Sequence, residues 1–219
     1  LSGPLLLDMT ATGSLENPDV TLKLNYTGGL LAGMDVSSIN LKSRMQDRKI
    51  VIDRLDAATA AGKLESTGRV ELQSAFADGF LSESTDLSAI TYLFDLNAAD
   101  ARLSAFPGMA NASGKISTRL HLSGRGISPE NLIAEADVDI YGKNITVDKT
   151  IPPVDLRIAA RAGLTQGRLA IDSLTINTPE AGLKVSGAYA LTDRLLNLSA
   201  NAQIPDLETL LAPLGISGV

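Results

Sequence analysis

The chain has no cysteine and no tryptophan, one histidine, and only four phenylalanines and four tyrosines in 219 residues. The missing cysteine rules out disulfides, Cys-ligated zinc and thiol chemistry. Too few rings are present to stack nucleobases, and Lys and Arg do not cluster. With a formal net charge of −6, nucleic-acid binding is excluded, as is electrostatic attachment to an anionic membrane surface. No apolar run approaches the roughly 18 residues of a membrane span, and no signal peptide opens the chain. Gly124-Arg125-Gly126 is followed by Ile127-Ser128-Pro129 instead of a further glycine and a helix, so the dinucleotide fingerprint fails. The lone His121 points away from Ile116, Leu120 and Leu122, on the side of Ser117 and Arg119, and reads as solvated surface. No Ser-His-Asp system can be assembled around it. The sequence assigns no catalytic residue, cofactor or metal.

What remains is alternation. Hydrophobic residues make up 44% of the chain, and they recur at every second position. Val20, Leu22, Leu24 and Tyr26 share one side; Thr21, Lys23, Asn25 and Thr27 share the other. The same pattern runs through Ile39 and Leu41, Leu64 to Leu72, Val138 and Ile140, Val154 to Ile158, and Leu196 to Ala202, with Gly68 in an apolar slot. One apolar and one wet side is the mark of an antiparallel sheet. Turns are predicted at Asn17-Pro18-Asp19, Gly28-Gly29, Gln46-Asp47-Arg48, Tyr141-Gly142-Lys143-Asn144 and Thr165-Gln166-Gly167. Short helical turns are predicted over Asp206–Leu211 and over Ala99–Phe106, ended by Pro107-Gly108. Ala75–Thr91 reads equally as loop, weak edge strand or crossover.

The chain also nearly repeats itself. Gly3, Gly13 and Pro18 recur at one constant spacing as Gly114, Gly124 and Pro129. Ile50-Val51-Ile52-Asp53-Arg54-Leu55 and Gly68 recur at a second spacing as Leu169-Ala170-Ile171-Asp172-Ser173-Leu174 and Gly187. Gly114 recurs once more as Gly218. These matches predict a modular array, divided into residues 1–91 and 92–219 with a further copy beginning at the end, and hence a segment of a longer chain. Two carboxylate pairs stand out. Asp137 and Asp139 read as a solvated edge that discourages sheet stacking. Asp53 and Asp56 lie where a strand is expected to turn, with Asp172 as the repeat partner of Asp53.

Gly13-Ser14-Leu15-Glu16-Asn17-Pro18 before a strand, the Ile50–Leu55 block and Gly62-Lys63-Leu64-Glu65-Ser66-Thr67-Gly68-Arg69-Val70 recur in order as Gly124–Pro129, Leu169–Leu174 and Gly182–Gly187. So ordered, they resemble the AsmA/TamB-like superfamily of bacterial envelope proteins. Ser128-Pro129 departs from the Asn-Pro form, and Thr118 stands where Leu7 is apolar. The resemblance implies an elongated, curled antiparallel sheet, taco-like, built from two tandem copies with one or two very short helices. It implies a periplasmic segment of a chain anchored in the inner membrane, conducting phospholipid toward the outer membrane with its acyl chains on a hydrophobic groove. Contact with a membrane would be made by other parts of the parent chain. The alternative it implies is an assembly factor that pairs strands with an outer-membrane β-barrel protein. Periodicity alone favours a closed sandwich; the low ring content, the repeat and the resemblance favour the open groove. Its expected lining is Leu5, Leu7, Leu22, Leu24, Ile39, Leu41, Ile50, Ile52, Leu64 and Val70 in the first half. In the second half it is Ile116, Leu120, Val138, Ile140, Leu156, Ile158, Leu169, Ile171, Val185 and Leu198.

Overall fold

The computed structural model of the chain describes residues 3–31, 34–106, 108–128, 130–146, 152–191 and 193–204. Strand follows strand: β1 (Leu5–Gly13), β2 (Pro18–Leu31), β3 (Met34–Gln46), β4 (Lys49–Thr59), β5 (Lys63–Glu71) and β6 (Thr91–Arg102). Then come β7 (Ser113–Arg125), β8 (Ile133–Thr146), β9 (Val154–Thr165), β10 (Arg168–Asn177), β11 (Gly182–Ala190) and β12 (Leu195–Gln203). All twelve form one sheet in chain order, and every neighbouring pair is antiparallel. The ladder crosses residue 91 without a break, because β5 pairs with β6 over its full length.

Local chemistry fixes the hairpins. Asp47 (φ 50°) with Arg48 (φ 56°), and Gln166 (φ 47°) with Gly167 (φ 72°), form two-residue turns with both residues left-handed. That twist matches the flanking strands. The β4–β5 and β10–β11 turns are closed by a threonine each: the Ala61 and Gly62 amides donate to Thr59 Oγ1 (both 3.2 Å), and the Ala181 amide donates to Thr178 Oγ1 (3.0 Å).

The sheet is open, as the low ring content, the repeat and the resemblance predict and against the closed sandwich that periodicity alone favours, but it is not curled. A curl would bring distant strands face to face. The extensive contacts between strands run only between neighbours in the chain. Among the described residues no second layer closes a sandwich either: nine apolar residues are buried, and most lie at strand ends beneath connections, as Ala61, Leu72, Ala101, Leu103 and Ala112 do.

Several local expectations are corrected. Gly28-Gly29 is no turn; Gly28 adopts φ 65° inside β2, which runs on to Leu31. Tyr141–Asn144 is an irregularity within β8, where the pairing with β9 slips between Gly142 and Ile145. Asp53 and Asp172 do not sit where strands turn but in mid-strand bulges. Asp53 and Arg54 together oppose Thr67 in the interval between the Ile52–Gly68 and Leu55–Ser66 pairs. Asp172 and Ser173 oppose Ser186 in the same way. One extra residue re-phases the alternation, so Leu55 and Leu174 rejoin the side of Ile52 and Ile171. Asp137 and Asp139 belong to β8, seven strands in from one edge, and are ion-paired. Ala99–Phe106 stays extended to Arg102 and closes with a single 3-10 turn, Leu103–Ala105. A second such turn is Leu87–Ala89, and no α-helix occurs among the described residues. The predicted helix at Asp206–Leu211, Pro107, Pro129 and Gly218 lie outside those residues.

Gly68 shows why an apolar slot needs glycine. A Cβ there would overlap the ring of Phe94 on β6, which lies across it. Gly68→Val should cost about 1–3 kcal/mol through overpacking, measured by urea denaturation. Gly68→Val with Phe94→Leu should recover much of the loss; equal losses for the single and double variants would show that the ring is not the obstacle.

Candidate functional site

Register assembles the scattered apolar residues into rows. Leu7, Leu24, Leu41, Leu55, Ser66, Leu96, Leu120, Val138, Ala160, Leu174, Val185 and Ala200 stand opposite one another in turn across all twelve strands. Three further rows flank this one on the same face. Leu5 begins one that passes through Tyr26, Ile39 and Ile158 to Ala202; Met9 begins one that ends at Leu198; Ala11 begins one that ends at Leu196. Ser43, Ser66 and Thr118 are the only polar members of these four rows. The Ser66 hydroxyl is turned to the Asp95 carbonyl at 2.8 Å.

All twenty residues expected to line a groove stand on this one face. Leu7, Leu24, Leu41, Leu120, Val138 and Val185 belong to the central row, and Leu5, Ile39, Leu64, Ile140 and Ile158 to the next. Leu22, Ile52, Ile171 and Leu198 lie on the other side of the central row, with Ile50, Val70 and Leu169 beyond them. Ile116 and Leu156 face the opposite end, through Gly142. None of the twenty is buried. Leu5, Leu7 and Leu198, on the edge strands, expose 52%, 60% and 47% of their surface. Strict period-two counting misses Leu55 and Leu174, because the bulges shift the phase. The repeated spacing Ile-Asp-x-Leu is the signal that could have found them. Phe94 and Leu96 were missed because β6 begins inside the stretch the sequence leaves open.

Residues 72–90 resolve that stretch as a loop that folds back onto one corner of the apolar face. Leu72, Ala75 and Ile90 are buried there, with Ile50, Val70, Phe76 and Phe80 packed against them. The rings of Phe76 and Phe80 sit 4.9 Å apart. The Arg48 guanidinium donates to the Phe76 carbonyl and, at 2.6 Å, to that of Ala77. The Phe80 amide donates to the Glu16 carbonyl (3.3 Å), which ties the loop to the β1–β2 turn. At its far end Asp86 accepts from the Ser88 amide (3.0 Å) and hydroxyl (2.5 Å), and the Ser88 hydroxyl, then its amide, hold the carboxyl below its ordinary range.

The opposite face is charged. Asp95 accepts from His121 Nδ1 at 2.7 Å, and Asp137 from Arg161 Nε at 2.6 Å, each across a directly opposed pair. Arg157 reaches Asp139 at 3.5 Å and lies 5.0 Å from the Tyr141 ring. Arg44 pairs with the bulge residue Asp53 at 3.2 Å, and Lys49 with Glu71 at 2.6 Å. These groups are largely solvated, so each pair contributes at most about 1 kcal/mol. Asp137 holds the Arg161 guanidinium above its ordinary range, first by hydrogen bond and then by charge. A concavity of about 600 Å³ lies on this polar side, floored by β4 to β8 and lined by Asp56, Glu65, Asp95, Arg119, His121 and Asp139. Among the described residues no three His, Asp or Glu side chains are placed to hold a metal ion.

No family model, curated protein or solved structure matches the chain. The site therefore has to be read from its own chemistry. The apolar face is four rows deep, aliphatic in its central row and carrying Tyr26, Tyr92, Phe94 and Tyr189 in the flanking ones. Twelve strands at about 4.8 Å and rows at about 6.8 Å give it an area on the order of 1,000–1,500 Å². The largest apolar patch on a typical monomer is about 300–600 Å².

The loop that covers one corner depends on Arg48. Arg48→Met keeps the aliphatic stem and removes two charge-assisted hydrogen bonds, worth about 1.5–3 kcal/mol each in favourable settings. Limited proteolysis between Ala77 and Leu87 should accelerate about tenfold or more, while far-UV circular dichroism stays unchanged. Unaltered cleavage would show that the apolar packing of Phe76 and Phe80 suffices.

Proposed function

We propose that the chain is a non-enzymatic, lipid-carrying segment whose apolar face takes phospholipid acyl chains. Following the resemblance to the AsmA/TamB-like superfamily, the setting is the periplasm, the parent chain is anchored in the inner membrane, and the lipid moves toward the outer membrane. One observation carries this reading: four rows, apolar but for Ser43, Ser66 and Thr118, run across twelve strands, and among their described members few are buried, chiefly Tyr26 in the Leu5 row, while residues 72–90 pack over one corner.

The composition of the face favours acyl chains over a protein partner. Protein interfaces concentrate rings, Arg and Met in their cores. Here the central row is Leu, Val and Ala with one Ser, and holds no ring and no charge. An exposed acyl chain costs about 0.8 kcal/mol per methylene. A near-uniform aliphatic row lowers that cost at every position without a strong local minimum, so a chain can shift from one strand to the next. The rows run across the strands, and the shallow valleys between them follow the long direction of the sheet. The charged opposite face keeps the strip in solution.

Native mass spectrometry of the purified chain should show co-purifying phospholipid. Leu120→Asp with Val138→Asp places two carboxylates at the centre of the face. Because both side chains are already partly exposed, the sheet should still form by circular dichroism, and retained lipid should fall at least tenfold. The opposite-face variant Thr175→Asp should retain lipid normally. A lipid-free chain, or equal loss in both variants, contradicts the proposal.

A further inference from the structure

We propose that an apolar trough at the Leu191 corner of the sheet binds a polypeptide segment of a partner protein, one that carries two phenylalanines four residues apart and a basic residue beside them. The inference does not depend on what the rest of the apolar face carries.

The trough is recognised from a ladder that occurs twice. The β4–β5 pairs Lys49–Glu71, Ile52–Gly68 and Leu55–Ser66 recur in β10–β11 as Arg168–Ala190, Ile171–Gly187 and Leu174–Val185. The left-handed turn Asp47-Arg48 recurs as Gln166-Gly167. At the other end the threonine closing the turn, Thr59, recurs as Thr178. The correspondence runs one residue past the strands: the Leu72 amide donates to the Arg48 carbonyl (2.7 Å), and the Leu191 amide to the Gly167 carbonyl (2.8 Å). Leu191 is therefore the counterpart of Leu72, and Leu169 and Tyr189 stand where Ile50 and Val70 do.

Beyond that point the two corners differ. Residues 72–90 join β5 to β6, but only residues 191–194 join β11 to β12. The long connection crosses its corner from Leu72 to the β1–β2 turn, where the Phe80 amide meets the Glu16 carbonyl, and packs Phe76 and Phe80 against Leu72, Ala75 and Ile90. The second corner holds a trough of about 490 Å³ along the same course. It runs from Leu191 past Gly167 and Leu164 to Ile127 and Leu132 of the β7–β8 connection, which stands to β9 as the β1–β2 turn stands to β3. Ligand sites span about 300–1,000 Å³. Leu72 is buried, whereas Leu191 and Ile127 expose 51% and 55% of their surface.

The filled corner indicates what the open one takes. Its aliphatic wall receives two rings, 4.9 Å apart, from one short stretch of chain. Phenylalanine buries a large apolar area on a stiff side chain, which suits an anchor in a pocket. The charges are reversed between the corners. At the first, the cation belongs to the sheet: the Arg48 guanidinium holds the carbonyls of Phe76 and Ala77. Gly167 takes the place of Arg48 at the second, and among the described residues Glu130 is the one charged side chain lining the trough. Its own amide, then the Ser128 hydroxyl, hold that carboxyl below its ordinary range. The cation there belongs to the partner.

The probe is a labelled synthetic peptide of residues 72–90 with Asp78→Lys, which keeps both rings and places a cation between them. Fluorescence anisotropy with the full chain should show saturable binding. Leu191→Asp in the chain should weaken it at least tenfold, as should Phe76→Ala with Phe80→Ala in the peptide. Glu130→Gln should weaken it about threefold. Ile127→Asp, on the facing wall, gives a second variant should Leu191→Asp not fold by circular dichroism. No saturation up to about 1 mM, equal binding of the ring-free peptide, or binding indifferent to both trough variants overturns the proposal. So does retained phospholipid that falls with Leu191→Asp while the peptide fails to bind, since an acyl chain would then be the occupant.

Discussion

Everything in this molecule rests on cross-strand register. In a pleated strand, neighbouring side chains point to opposite faces, and a slip of one residue would exchange them. Eleven successive ladders must therefore agree for one face to remain apolar from β1 to β12. They do, and the agreement survives the two bulges that fall within the four rows because each adds its extra residue at a polar position, Asp53-Arg54 and Asp172-Ser173; the other register shifts lie beyond the rows, toward the strand ends. Leu55 and Leu174 return to the central row as a result. Gly68 beneath Phe94 serves the same end, since it lets neighbouring strands keep their pairing while a large ring lies flat over the ladder.

Such a sheet has no conventional core. Its order comes from backbone ladders, side-chain contact along the rows, and connections that seal strand ends. The loop at residues 72–90 is the largest of these seals, with Phe76 and Phe80 over Ile50 and Val70. At the other end, the Arg102 guanidinium donates to the Ala60 carbonyl through Nε (3.2 Å) and Nη2 (2.5 Å), beside buried Ala61 and Ala101. The polar face adds opposed ion pairs whose individual contribution is small but which favour one register over its neighbours. A molecule so built leaves much of its apolar face partly exposed among the described residues, and the proposed function is read from that exposure.

The strand code was legible because nothing in the sequence competes with it. Leu22 and Leu24, Ile39 and Leu41, and Leu156 and Ile158 fall on the face that alternation assigns them. Three kinds of information were not local and were misread. Gly28-Gly29 and Tyr141–Asn144 have turn composition, yet their strands continue because partners on β3 and β9 hold them extended. Leu55 and Leu174 required knowledge of a bulge that only the opposing strand reveals. The position of Ala75–Ile90 depends on Arg48 and Glu16, both far away in the chain. The curl implied by resemblance is a global property of many small strand angles, and no residue pattern encodes it.

The central claim is that the apolar face is open in solution. Nitroxide labels on single cysteines replacing Leu24, Leu120 or Leu174 would report it directly by electron paramagnetic resonance. The account predicts labels readily accessible to dissolved oxygen, in contrast to a label at buried Leu72. Immobile, oxygen-inaccessible labels at all three positions in the lipid-free, monomeric chain would mean that the polypeptide seals its own face, and would contradict the account.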